Sequence, residues 1–150
     1  LALPETLPSL TGASVRQQAM LVRSFAVPDP LYQSPSGERA CAYLVDYPGP
    51  AADLNAWTTH YIGHHAPLMA QFPGIRRIEI CTRLDWCGFL PWPRAHSMLR
   101  NVVCFDSAQA LTAALNSPVR HAMREDFHTF PPFEGGNTHY PMTMEIVAPC

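Results

Sequence analysis

The sequence predicts an α+β domain with the element order β-α-β-β-α-β, a four-stranded antiparallel sheet with both helices on one face. Three observations carry this expectation. From Ala51 to Phe72 the apolar residues recur at three- and four-residue steps, the signature of a helix with one buried face. The same spacing returns after Asp106. Between and around these two stretches lie short runs rich in apolar and β-branched residues, bounded by Pro and Gly. At 150 residues the chain fits one domain, large enough to bury about two-thirds of its unfolded surface.

Residues 1–38 read as an N-terminal arm. Its first thirteen residues hold Pro4, Pro8 and Gly12 with little periodicity, "AMLVRSFAV" (19–27) is β-compatible and supplies a possible extra strand, and "PDPLYQSPSGE" (28–38) is dense in turn residues. The domain proper spans 39–150. It opens with "RACAYLVDY" (39–47), an apolar strand closed by Pro48-Gly49-Pro50. In the first helix Leu54, Trp57, Tyr61, His65, Leu68, Met69 and Phe72 share one face, and Asp53 is placed to cap the N-terminus. Pro73-Gly74 ends that helix, and "PGIRRIEICTRL" (73–84) reads as a strand because β-branched residues follow at alternate positions. A loop rich in aromatics and prolines, "DWCGFLPWPRAH" (85–96), leads to the strand "SMLRNVVCF" (97–105). Asp106 or Ser107 caps the second helix, "NSP" (116–118) interrupts it, and "VRHAMREDFHTF" resumes the helical spacing. "PPFEGGN" is a turn, and "THYPMTMEIV" (138–147) is the last strand. Two of the strands are apolar on both faces, so the sheet face away from the helices needs a cover. A second copy of the chain supplies one, which predicts a homodimer burying more than about 2,000 Å² in total.

Composition restricts the function. The chain is 47% hydrophobic and only 15% charged, a low charged share that suits a surface partly covered by a partner. With a formal charge of −2 and no run of basic residues, it offers no surface for neutralising phosphates, so nucleic acid is not an expected partner. No apolar run approaches the roughly 20 residues of a membrane span, and "LALPETLPSL" lacks the charged start and continuous apolar core of a secretory signal. No membrane partner is expected. Five cysteines, odd in number and never spaced Cys-x-x-Cys, suggest neither a disulfide framework nor a zinc knuckle, and the expected setting is a reducing cytoplasm. Cys81 and Cys104, on the strands flanking the Trp-rich loop, are expected to approach each other as small core residues. There is no glycine-rich phosphate loop, no dinucleotide fingerprint and no nucleophile elbow, so no cofactor is expected.

The candidate chemistry centres on three histidines in "WTTHYIGHH". His60 and His64 are four apart on the polar helix face, a metal-compatible spacing without an obvious third ligand, so no metal is assigned. His65 lies on the apolar stripe with Trp57 and Tyr61. It is either a core histidine donating to a carbonyl or an acid–base group, since its reference pKa of about 6.5 can be tuned for proton transfer near neutrality. Tyr61, one turn earlier, either packs or orients the imidazole and donates to a substrate oxygen. Trp57, Arg76, Arg77, Trp86, Trp92, His96 and His128 are the candidates for substrate contact, the arginines as carboxylate binders and the histidines as residues of a pocket mouth.

Two ordered blocks resemble the EthD family of dimeric α+β barrel proteins. In "AWTTHYIGHHAPLMAQFPGI" the matching positions are Trp57, Tyr61, His65, Pro67, Leu68, Pro73 and Gly74; in the second block they are Phe105, Asp106, Ser107, Ser117, Pro118, Asp126 and Phe130. The resemblance covers roughly 39–147 and implies a ferredoxin-like fold, dimerisation into an α+β barrel, and His65 at the position where lactone-isomerase relatives place a proton-transferring histidine. Ile78 stands where some members have a Tyr, so a mechanism that needs that phenol does not transfer. The expected function is a cofactor-independent lyase or isomerase using His65, assisted by Tyr61, on a small oxygenated ring or polyketide-like substrate. Two alternatives stand beside it: a non-catalytic auxiliary or small-molecule-binding protein of a degradation operon, and a haem protein, since related barrels use a helix or loop histidine as axial ligand.

Overall fold

The computed structural model describes residues 8–33 and 39–145. The expectations for residues 1–7, for 34–38 and for the end of the last strand at 146–147 lie outside these residues. Five strands form one sheet: β1 (Met20–Phe25), β2 (Ala40–Tyr47), β3 (Ile75–Arg83), β4 (Leu99–Phe105) and β5 (Thr138–Met144). Their order is β1-β3-β4-β2-β5 and every neighbour is antiparallel. The four expected strands thus make the ferredoxin-like sheet, and the β-compatible stretch of the arm adds a fifth strand beyond β3. β3 and β4 do not bring the two thiols together as expected. Cys81 pairs with Arg100, whereas Cys104 pairs with Arg77, because the connecting loop sets the hairpin register further along.

The first helical region is not one straight helix. It consists of α1 (Leu54–His60), a π-helical turn (Tyr61–His65) and α2 (Ala66–Met69). Asp53 caps α1 through a 2.9 Å bond from the Ala56 N–H to its carboxylate, as its type and position predict. The π-turn follows from Pro67, which has no N–H to offer the Gly63 carbonyl and whose ring would press on it. The backbone widens instead, and the Ala66 N–H reaches back five residues to the Tyr61 carbonyl. Gly74, at φ +73°, makes the turn into β3 that an L side chain would strain.

In the second region α3 (Ala108–Leu115) is capped by Ser107, whose hydroxyl accepts from the Ala110 N–H at 3.2 Å. Asp106 is occupied elsewhere, holding the Arg76 guanidinium and the Gln33 N–H. α4 (Pro118–Phe127) starts afresh at Pro118, where a missing N–H costs nothing.

Both helical regions cover one face of the sheet. Val45, Tyr47, Ile78, Ile80, Leu99, Val103 and Phe105 pack there against Trp57, Tyr61, Met69, Leu111, Ala114 and Met123. The opposite face is partly open. Register places Leu44, Val102, Tyr140, Met142 and Val22 on it, and Val22, Tyr140 and Met142 are 53%, 48% and 42% exposed.

Candidate active site

The π-turn sets the site because it carries both Tyr61 and His65 inward. His65 is 5% exposed. Its Nδ1 lies 2.7 Å from the Asp126 carboxylate on α4, and the Phe130 ring meets the imidazole edge to face at 4.9 Å. Asp126 is shared: its other oxygen is 3.4 Å from His60 Nε2. Two opposing effects act on the His65 pKa. Burial lowers it and the carboxylate raises it, with burial the stronger, so the pKa falls below the ordinary imidazole value and the ring is neutral at neutral pH. A neutral ring donating Nδ1–H to Asp126 leaves Nε2 as a lone-pair acceptor, and Nε2 has no hydrogen-bond partner among the described residues. That is the state of a base ready to take a proton, with a carboxylate behind it to stabilise the resulting imidazolium.

His65 lines a cavity of about 370 Å³ between the sheet and the second pair of helices. Its floor is Tyr43, Val45 and Tyr47 of β2 with Asn101, Val103 and Phe105 of β4; its roof includes Leu111, Met123 and Phe127. Asn101 is the polar residue of this floor that is itself buried, at 3% exposed. Its amide nitrogen donates to the Tyr61 hydroxyl, while its Oδ1 has no partner among the described residues. A buried amide oxygen left without a partner at a cavity wall is in place to accept from a bound molecule. The phenols of Tyr43 and Tyr47 are pushed up by burial and stay protonated.

Of the residues singled out by sequence, His65 and His128 line this cavity, and His128 sits exposed at the end of α4. Tyr61 is fully buried one layer behind, touching three residues of the cavity wall, Asn101, Tyr47 and His65, without lining it itself; desolvation holds its phenol well above the usual range. Trp57 is also fully buried, stacked on Tyr61 at 5.3 Å and packed on Phe130 and Phe133, away from the cavity lining. Arg76 is held by Asp29 and Asp106 at 2.5 and 2.7 Å. Arg77 lies on the opposite sheet face beside Glu79. Trp86 carries Arg94 over its ring at 5.2 Å, the Trp92 carbonyl accepts from Gln17 of the arm, and His96 is exposed; none of the three lines this cavity. His60 and His64 stack at 4.7 Å, and no group of three His, Cys, Asp or Glu side chains among the described residues is arranged to hold a metal.

Asp126 and Asn101 are the residues that reading the sequence passed over as chemistry. Asp126 was visible only as part of the Asp-x-x-x-Phe motif, and its reach to His65 spans 61 residues of chain. Asn101 had a signal in hand: a lone amide among the otherwise apolar inward positions Leu99, Val103 and Phe105 of its strand.

No family profile matches the chain and no curated protein matches it. Solved structures do. An ethyl tert-butyl ether D (EthD) family protein from Bacillus halodurans is 20% identical over 71% of this chain and 99% of its own, with a TM-score of 0.53. A dimeric ferredoxin-like protein of unknown function from Thermobifida fusca is 10% identical over 76% of this chain and 95% of its own, with a TM-score of 0.55. This chain has the EthD-like, ferredoxin-like α+β fold. A variant of SnoaB, a cofactor-independent oxygenase from Streptomyces nogalater, is 14% identical over 74% of this chain and 98% of its own, with a TM-score of 0.50. The EthD-like fold therefore houses at least one enzyme that works without a cofactor.

Proposed function

We propose that this EthD-like chain is a cofactor-independent lyase or isomerase acting on a small oxygenated ring or polyketide-like molecule. The observation that carries the reading is a neutral, buried His65 backed by Asp126 on the wall of a cavity about 370 Å³ in volume. Nε2 removes a proton from a carbon next to a substrate carbonyl, and the electron pair moves into the carbonyl to give an enolate. The imidazolium formed is held by Asp126. It then returns the proton at a second carbon conjugated with the enolate, completing an isomerisation, or the enolate expels a β-hydroxyl that takes the imidazolium proton and departs as water, completing an elimination. Neither route needs an oxidant. Apolar walls strengthen these charge interactions by excluding water.

The working unit in this reading is a homodimer, with the partly open sheet face of Leu44, Val102, Tyr140 and Met142 as the contact. The Thermobifida fusca protein of this fold is described as dimeric. No helix among the described residues is long and apolar enough to cross a membrane, and a cytoplasmic enzyme fits that.

The test is His65→Gln, assayed against oxygenated ring compounds turned over by the native protein. Turnover should fall by about 10²–10⁴-fold, the usual contribution of a general base, while the thermal midpoint moves little. Full activity in this variant removes His65 from the mechanism.

A further inference from the structure

Among the described residues, the permanently charged groups on the cavity wall are of one sign. Arg120 and Arg124 of α4 line it, with the imidazoles of His128 and of His139 on β5, and no Asp or Glu among the described residues does. This runs against the composition of the chain, in which 12 acidic residues outnumber 10 basic ones. Nor are these arginines balanced at close range. Arg39, Arg76, Arg77 and Arg100 each form an ion pair; Arg120 and Arg124 are among the six arginines that form none among the described residues, and of those six they are the two on the cavity wall. Of the two acids on the same helix, Asp126 is committed to His65 and His60, and Glu125, beside Arg124 in sequence, does not line the cavity.

Helical spacing explains how the arginines reach the cavity. Residues 120, 123, 124, 127 and 128 recur at three- and four-residue steps, so Arg120, Met123, Arg124, Phe127 and His128 form one stripe of α4. The stripe carries two apolar residues and two guanidinium groups into the same space. The Arg120 charge is felt across the cavity: behind the dominant effect of burial, it adds to the lowering of the His65 and His139 pKa and works against the raising of the Tyr43 and Tyr47 phenols, residues of three other elements.

Resting on the proposed function, we infer that Arg120 and Arg124 form an anion subsite, and that the substrate is an oxygenated ring bearing a carboxylate. Two adjacent guanidinium forks match a carboxylate in geometry and charge. Anchored there, the apolar body of the molecule lies between Val103, Phe105 and Phe127, and its carbonyl end faces His65 and Asn101. Both arginines are exposed, so a neutral ring of the same size would leave them hydrated and gain no contact from their charge.

Binding, measured separately from turnover, tests this on the intact chain. The probes are a hydroxynaphthoic acid and its methyl ester, compared by calorimetry at about pH 8, where the guanidinium groups are charged and the acid is a carboxylate. The acid should bind at least tenfold more tightly than the ester. Arg120→Gln combined with Arg124→Gln should bring that ratio below twofold, Arg120→Glu should reverse it, and His65→Gln should leave it intact. Equal binding of acid and ester by the native protein, no binding of either, or a preference that survives both arginine changes would overturn the subsite. Loss of the preference on arginine removal with unaltered turnover in His65→Gln would keep the anion subsite and sink the proposed base.

Discussion

Replacing Asp126 with Asn separates a paired base from a merely packed histidine. The Nδ1–Oδ2 contact is 2.7 Å and the two side chains are only 6% and 13% exposed. In the resting protein the imidazole is neutral, so the pair is a hydrogen bond to a charged acceptor, and its loss should lower stability by only about 1–3 kcal/mol. In the transition state the ring becomes a cation beside the carboxylate. At a charge separation of about 4 Å and an effective dielectric near 20, that attraction is about 4 kcal/mol, roughly a thousandfold in rate. The variant should also shift the His65 titration. The carboxylate raises the pKa and burial lowers it, so removing the charge leaves burial unopposed and the pKa drops further. NMR titration of the imidazole nitrogens in native and variant protein reads this without a substrate. A His65 pKa that rises in Asp126→Asn, or one that does not move, would refute the pairing, as would a turnover within threefold of native.

Acid should destabilise the fold through the same residue. The folded pKa of His65 lies below its unfolded value of 6.5, so its contribution is complete above about pH 6.5 and is lost as pH falls toward the folded pKa, where the unfolded chain binds the extra proton. His139, shifted the same way, adds to this, and denaturant midpoints in His65→Gln should decline less steeply over that window. Tyr61→Phe removes the acceptor of the Asn101 amide and should cost about 1–3 kcal/mol of stability with less than a tenfold loss of turnover; a loss as complete as that of His65→Gln at an unchanged thermal midpoint would make Tyr61 a catalytic group after all. The open sheet face predicts that sedimentation velocity finds a dimer at micromolar concentration and that dissociation accompanies unfolding. A folded, stable monomer would contradict it.

The elements were legible in the sequence because the residues that define them act locally. Asp53 and Pro118 mark helix starts by satisfying or lacking backbone donors, and Pro73-Gly74 marks a stop, whatever the rest of the chain does. His65 was legible too, since an imidazole on an apolar stripe must find a partner. Which partner was not, because Asp126 meets it only after α4 packs on the first helical region. The placement of the Trp-rich loop failed to show for the same reason. Its aromatics suit a pocket lining equally well, and it is long-range bonds that tie the loop to the arm, from the Gln17 side chain to the Leu90 and Trp92 carbonyls and between the Gln17 backbone and Pro93 and Ala95. Cys81 and Cys104 were misjudged because hairpin register depends on loop geometry that residue types do not encode.

The π-turn has a consequence for the phase of the first helical region. Trp57, Tyr61, His65 and Met69 repeat every four residues, and all four are buried. In an unbroken α-helix of 3.6 residues per turn such a ladder creeps around the axis by about 40° a step, and its last rung would end about a third of a turn from its first. The wider turn at Tyr61–His65 takes up the excess, so it works as a vernier between two rulers of different pitch. Deleting Gly63 would remove the correction: α1 would keep Trp57 seated, but everything beyond would rotate, and His65 would leave Asp126 without any residue of the pair having been changed.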